Sequence, residues 1–174
     1  VRFLKEDTTS PYLVGPNGYY MREPSTEKPL IWDRADGQAK PFDANIEDPA
    51  LDGCFKVTGL ELGADEEAWR HDGVEVKPAF QVLLDHMEEY TPDWAEAECD
   101  VPAETIRRVG DEFVAHARVG EMIEIEGEML PLRPVGVALG KSVNNGPGVY
   151  RAVWSRTLLS VLVGAIEVPG SNLG

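Results

Sequence analysis

The stretch Arg133-Pro-Val-Gly-Val-Ala-Leu-Gly-Lys-Ser-Val-Asn-Asn-Gly-Pro-Gly-Val-Tyr150 leads through an apolar run into Gly164-Ala-Ile-Glu-Val-Pro-Gly-Ser-Asn-Leu-Gly174. It predicts a buried strand over Val135–Leu139, a loop over Gly140–Gly148, a helix over Val149–Val163 and a closing glycine turn. A short continuous apolar run is the mark of an interior strand covered on both faces. A loop of glycines and amides at such a strand's carboxyl end is where open α/β folds present backbone N–H groups to a ligand. The expected fold class is therefore α/β, a fragment of a dinucleotide-binding-like domain. It would have a loop-rich first half with short strands, a helical middle, and this buried strand–loop–helix at the C-terminal end.

The loop holds the candidate binding residues. Gly140, Lys141, Ser142, Asn144, Asn145 and Gly146 offer one cation, one hydroxyl, two amides and flexible backbone, with Arg151 following on the helix. Those groups suit a phosphate, a pyrophosphate or the hydrogen-bonding edge of a heterocycle. The spacing is neither Gly-x-Gly-x-x-Gly nor the P-loop pattern, and a plain strand–helix connection stays open as the alternative. Arg151 and Arg156 could each reach an anion or make a structural ion pair; Arg156 is assigned the structural role. The helix carries Ala152, Val153, Trp154, Leu158, Leu159, Val161, Leu162 and Val163, so it is apolar on most sides and must be enclosed by other structure. Incomplete enclosure would point to missing partners or domains.

Upstream, Met122-Ile-Glu-Ile-Glu-Gly-Glu-Met-Leu130 alternates apolar and charged residues about Glu126-Gly127 and predicts a small hairpin with a solvated glutamate edge. Pro102 opens the longest amphipathic helix, with Ile106, Val109, Phe113, Val114 and Ala117 as its apolar stripe and Gly120 as its stop. Thr91 caps a turn with Pro92 at the first helical position and Asp93 at the positive end of the dipole. Pro78 to Tyr90 places Phe80, Leu83, Leu84, Met87 and Tyr90 on one helical face. The part before Pro78 is a meander of short apolar runs, Tyr12–Val14, Tyr19–Met21, Leu30–Trp32, Cys54–Val57 and Val74–Val76. Asn17-Gly18 and Asp36-Gly37 supply its reversals, and Asp65-Glu-Glu67 marks an acidic loop.

The chain has 174 residues and a formal charge of −15, enough for one ordinary domain or a piece of a larger one. Such acidity argues against nucleic acid as a partner and against docking on an anionic membrane. The apolar run Val149–Ile166 is broken by Arg151, Ser155 and Arg156, so no direct membrane insertion is expected. Cys54 and Cys99 belong to no Cys-x-x-Cys pair and are expected as small buried or half-buried side chains, with no disulfide, zinc or iron–sulfur role. His71, His86 and His116 lack partners at metal-ligand spacing, so no metal site is assigned. No nucleophile stands in an elbow-like context, and with so many carboxylates no particular pair is singled out. No catalytic residue is assigned. The opening Val1-Arg-Phe-Leu-Lys-Glu-Asp7 has no export signal, and without an initiator Met the true start is expected upstream.

Five blocks occur in order: Thr8-Thr-Ser-Pro-Tyr-Leu-Val-Gly-Pro-Asn-Gly-Tyr-Tyr-Met-Arg22, Lys77-Pro-Ala-Phe-Gln-Val-Leu-Leu84, Tyr90-Thr-Pro-Asp-Trp-Ala95, Val101-Pro-Ala-Glu-Thr-Ile-Arg107 and Gly164-Ala-Ile-Glu-Val-Pro-Gly170. Together they resemble the interior of the large catalytic subunit of the molybdopterin oxidoreductases, the dimethyl sulfoxide reductase family, over nearly the whole chain. The resemblance implies a parent enzyme holding molybdenum or tungsten through molybdopterin guanine dinucleotide, with Lys141, Ser142, Asn144 and Asn145 near that cofactor. It implies residues 1–132 as the latter part of one α/β domain, with a loop-rich insertion at 15–77, and 133–174 as the start of the next cofactor-binding segment. The family's cysteine cluster, metal-ligating residue and carboxy-terminal domain are absent. The fragment alone would be inactive, its partners being the parent's remaining domains and an iron–sulfur electron-transfer subunit, with any iron–sulfur cluster outside this chain. The compartment would be prokaryotic cytoplasm or periplasm, with any signal upstream. Two rivals stay open: a non-catalytic acidic protein-interaction module, and a non-redox hydratase or hydroxytransferase on the same scaffold.

Overall fold

A computed structural model describes residues 2–57, 73–138, 140 and 145–171. The chain divides into two units, Val1–Glu89 and Tyr90–Gly174.

Among the described residues of the first unit a short helix, α1 (Arg2–Glu6), precedes five strands: β1 (Leu13–Val14), β2 (Leu30–Asp33), β3 (Gln38–Pro41), β4 (Phe55–Val57) and β5 (Val74–Pro78). They form a three-stranded sheet ordered β1-β5-β4 and a β2–β3 hairpin, every pairing antiparallel. Of the apolar runs expected in the meander, four lie in strands, whereas Tyr19–Met21 makes only an isolated bridge, Tyr20 with Val14. Both reversals are found too: Gly18 N–H donates to the Gly15 carbonyl and Gly37 N–H to the Asp33 carbonyl, each at 2.9 Å. The acidic loop at Asp65-Glu-Glu67 and His71 lie outside the described residues. Alternation along β5 sends Val74 and Val76 inward and Glu75 outward. Those valines meet Leu13, Met21, Leu30 and Val57 in one buried cluster, with Trp32 stacked on Phe55 at a centroid distance of 4.6 Å beside it. Helix α2 (Ala79–Met87) follows β5 directly and lays its apolar stripe down only in part. Phe80 and Leu83 are half-buried; Leu84, Met87 and Tyr90 stay exposed.

At the end of β2 lies Asp33, a fully buried carboxylate. It accepts from Lys40 Nζ at 2.7 Å and from the backbone N–H groups of Asp48 at 3.0 Å and of Glu47 and Ala35 at 3.1 Å. The Lys40 ammonium foremost, then those backbone donors, hold its carboxyl far below the ordinary aspartate value. The cluster ties the hairpin to the segment 47–50, which also pairs through the Arg34 N–H to the Asp48 carbonyl and the Ala50 N–H to the Trp32 carbonyl.

The second unit holds helices α3 (Pro92–Cys99), α4 (Ala103–His116) and α5 (Val149–Val163), and a hairpin of β6 (Met122–Ile125) and β7 (Glu128–Pro131). Thr91 caps α3, its hydroxyl accepting from Trp94 N–H at 3.1 Å, with Pro92 first in the helix. Glu96 of α3 caps α4 in turn, accepting from Ala103 N–H at 3.0 Å, and Asp93 pairs with Arg107. The hairpin turns at Glu126 (φ 54) and Gly127 (φ 87), two left-handed positions as a tight primed turn requires. Glu124, Glu126 and Glu128 are exposed along it, as expected.

The described strands pair only antiparallel and are short; the architecture mixes α and β as expected, and a dinucleotide-binding-like relation is not shown. Three further expectations are corrected. The buried strand at Val135–Leu139 is not formed over 135–138, and Leu139 lies outside the described residues. There Pro134, Gly136 and Ala138 are exposed, Val135 and Val137 half-buried, and no described strand pairs with them. Apolar residues specify what needs cover, not which strand lies alongside. Helix α4, with 14 residues, is the longest amphipathic helix as expected, but it ends at His116, before the stop expected at Gly120. Its stripe also divides: Ile106 and Phe113 are half-buried and Ala117 is buried, whereas Val109 and Val114 are exposed.

The folded-state carboxyl of Asp33 is depressed, so its stabilisation is complete above the ordinary value of 3.8 and lost as the pH falls through and below it. Asp33→Asn should be less stable than the parent chain in urea near about pH 7, the gap narrowing toward about pH 3. A gap independent of pH would assign the loss to shape alone. Leu13→Ala, at a fully buried position, should cost about 2–5 kcal/mol in the same titration.

Candidate functional site

Of the loop residues singled out by sequence, the structure describes Gly140, Asn145, Gly146 and Arg151; Lys141, Ser142 and Asn144 lie outside the described residues. Gly140 and Asn145 are exposed and Gly146 is half-buried, its carbonyl accepting from Val149 N–H at 3.3 Å. Gly148, left-handed at φ 78, precedes α5 without a side-chain cap, and Arg151 stands exposed on the first turn. Asn145, Gly146 and Arg151 thus gather at the start of α5. Two clefts of about 350 and 310 Å³ lie elsewhere, one lined by Trp32, Gln38 and Lys56 and the other by Tyr19, Tyr20 and Val82.

The densest polar constellation of the second unit is around Arg133, a residue the sequence marks only as the start of an apolar run. The residue is nine-tenths buried. Nε donates to the Val163 carbonyl at 3.0 Å, and Nη1 donates to the carbonyls of Leu132 at 2.6 Å and of Arg118 and Glu121 at 3.2 Å. Its own N–H donates to the Pro169 carbonyl at 3.0 Å. Val163 closes α5 and Arg118, at φ 51, lies just beyond α4, so one cation serves the carbonyl-rich ends of two helices. Beneath it Ala117, Val163 and Ala165 are buried against Phe113 and Val135. The chain comes so close at the closing turn that a Cβ on Gly170, already at φ 86, would stand 2.9 Å from Pro134 Cα.

Arg156 is structural as expected, though through a carbonyl: Nε donates to Val137 O at 2.6 Å. Cys54 and Cys99 are both exposed and free, which corrects their expected burial. Cys99 ends a helix with no buried residue, so small size alone did not draw it inward. Among the described residues no three His, Cys, Asp or Glu side chains stand close enough to hold a metal ion. No described helix is long and apolar enough to cross a membrane.

No protein-family model matches the chain. The chain is 31% identical over 109 residues to a sulfite dehydrogenase subunit of Allochromatium vinosum, a match taking in 57% of this chain and 11% of that protein. The chain therefore spans about a ninth of the length of the relative it matches. These findings correct the expected membership of the dimethyl sulfoxide reductase family and the expected role as a molybdopterin guanine dinucleotide enzyme fragment. No family model supports either, and the relative is named for sulfite dehydrogenation. The blocks behind that resemblance have local duties. Thr91-Pro92 starts a helix, Pro102 precedes another, and Gly164 and Gly170 are left-handed at the end of α5 and in the turn after it. Such segments answer backbone requirements that recur across folds.

Replacing Arg133 with Met keeps much of the stem but removes the guanidinium donor from four carbonyls, of which those of Arg118 and Glu121 keep a backbone donor, the N–H of Glu121 and of Leu132. The cost should be on the order of 2–3 kcal/mol, with amide exchange accelerated first around Glu121 and Val163. Unchanged exchange at those amides would show that the guanidinium does not hold the unit together.

Proposed function

We propose that this chain is a segment of an oxidoreductase subunit whose substrate is sulfite or a sulfur oxyanion of the same charge and shape. The observation that carries the proposal is the 31% identity to a sulfite dehydrogenase subunit. In this role the segment is scaffold. Asp33 and Arg133 bind backbone groups that would otherwise be free to move, and the bonds of the substrate change elsewhere in the subunit. Sulfite and water become sulfate, two protons and two electrons, and the electrons pass to an acceptor outside the segment. That the relative is named as one subunit of its enzyme supports association with further chains.

The longer protein containing this sequence should reduce ferricyanide when given sulfite, whereas the 174-residue chain alone should not. A longer protein that reduces ferricyanide with other donors but never with sulfite would overturn the substrate assignment.

A further inference from the structure

Helix α5 turns its bulkier apolar side chains toward water. At the helical pitch, Val149, Val153, Arg156, Ser160 and Val163 share one face, which holds both buried positions of the helix and three of its five half-buried ones, Leu158 and Val161 being the other two. The opposite face carries Tyr150, Trp154, Leu158 and Leu162 at steps of four residues. Tyr150 is 78% exposed and Trp154 54%, with Leu162 exposed and Leu158 half-buried beside them. A solvent-facing surface helix ordinarily shows the reverse arrangement, with its apolar stripe inward. Here the inward face contains a guanidinium and a hydroxyl, and both have backbone partners: Arg156 donates to Val137 O and Ser160 to Arg156 O. The packing of this unit is thus satisfied by the more polar side of the helix. Contiguous aromatic and aliphatic exposure of this kind marks a surface that another surface covers.

We infer that the Tyr150–Trp154–Leu158–Leu162 face of α5 is a docking surface for other segments of the same polypeptide, an inference that rests on the proposed function. Three observations favour that occupant. The relative is about nine times longer than the stretch it shares with this chain, so most of such a protein lies outside it. A formal charge of −15 on each copy opposes pairing of two copies, and it opposes an anionic membrane equally. Apolar exposure is also spread over the unit, at Val109 and Val114 of α4 and at Met122 and Met129 of the hairpin, as in an element embedded on several sides. A two-fold dimer needs only one self-complementary patch. The fitting bed is aliphatic and aromatic, with a carboxylate facing the exposed Arg151.

Oxidative footprinting of the longer protein, native against urea-unfolded, reads the burial of Trp154 directly. A docked face predicts native oxidation slower by about tenfold or more, whereas the exposure seen here corresponds to about twofold. Trp154→Glu in that protein should lower its melting temperature by several degrees, and Trp154→Phe should largely restore it. Twofold protection together with a neutral Trp154→Glu overturns the inference. Protection that vanishes on dilution to a monomer overturns it in favour of a second copy. Sulfite-dependent reduction of ferricyanide, read separately, fails or holds independently of these outcomes, so loss of the substrate assignment and loss of the docking surface are told apart.

Discussion

Each unit is organised around one charged side chain removed from water and satisfied mainly by backbone. Burying a lone ion is costly, and the cost is met only when fixed dipoles surround it with good geometry. Asp33 collects three backbone N–H groups and the Lys40 ammonium, joining a hairpin to the segment 47–50. Arg133 is the mirror image, a cation collecting four carbonyls from the ends of helices and the base of a hairpin. In both places segments with little secondary structure of their own become specific because an ion demands their polar groups. Among the described residues no buried side-chain polar atom lacks a partner.

This arrangement accounts for how the second unit keeps its form with so small an apolar cluster. Ala117, Val163 and Ala165 contribute little area, while Tyr150, Trp154, Val109, Val114 and Met129 face outward. A self-sufficient domain would invert that distribution, since burial of large apolar side chains is the main favourable term in folding. The distribution suits a part of a larger protein better than a free-standing acidic module.

Local features were the legible ones. Thr91-Pro92, the Glu126-Gly127 reversal, the span Val149–Val163 and the short strands of the first unit all follow from capping, turn chemistry and periodicity, which act over a few residues. The candidate site was harder to read. Val135–Ala138 looked like an interior strand because its residues are small and apolar, yet a strand needs a neighbour, and no neighbour is encoded within the strand itself. Val109 and Val114 matched a helical stripe but fell outside the sector that finds cover. Neither Asp33 nor Arg133 carried any signal, because one aspartate among many acids and one arginine beside a proline look like surface residues until their surroundings are known. The family blocks misled for the related reason that helix starts and glycine turns repeat wherever the backbone meets the same local demand.

Composition and periodicity by themselves determined that this chain is acidic and globular, with short strands first, helices in the middle and an unusually apolar helix near the end. They did so because charge, capping and amphipathic spacing are properties of neighbouring residues. Which carboxylate and which guanidinium would be buried, and which side of α5 would face its own unit, only the tertiary structure decided. Those outcomes depend on backbone groups brought together from distant points, such as Asp33 with Asp48 and Arg133 with Val163, and no local pattern records that meeting.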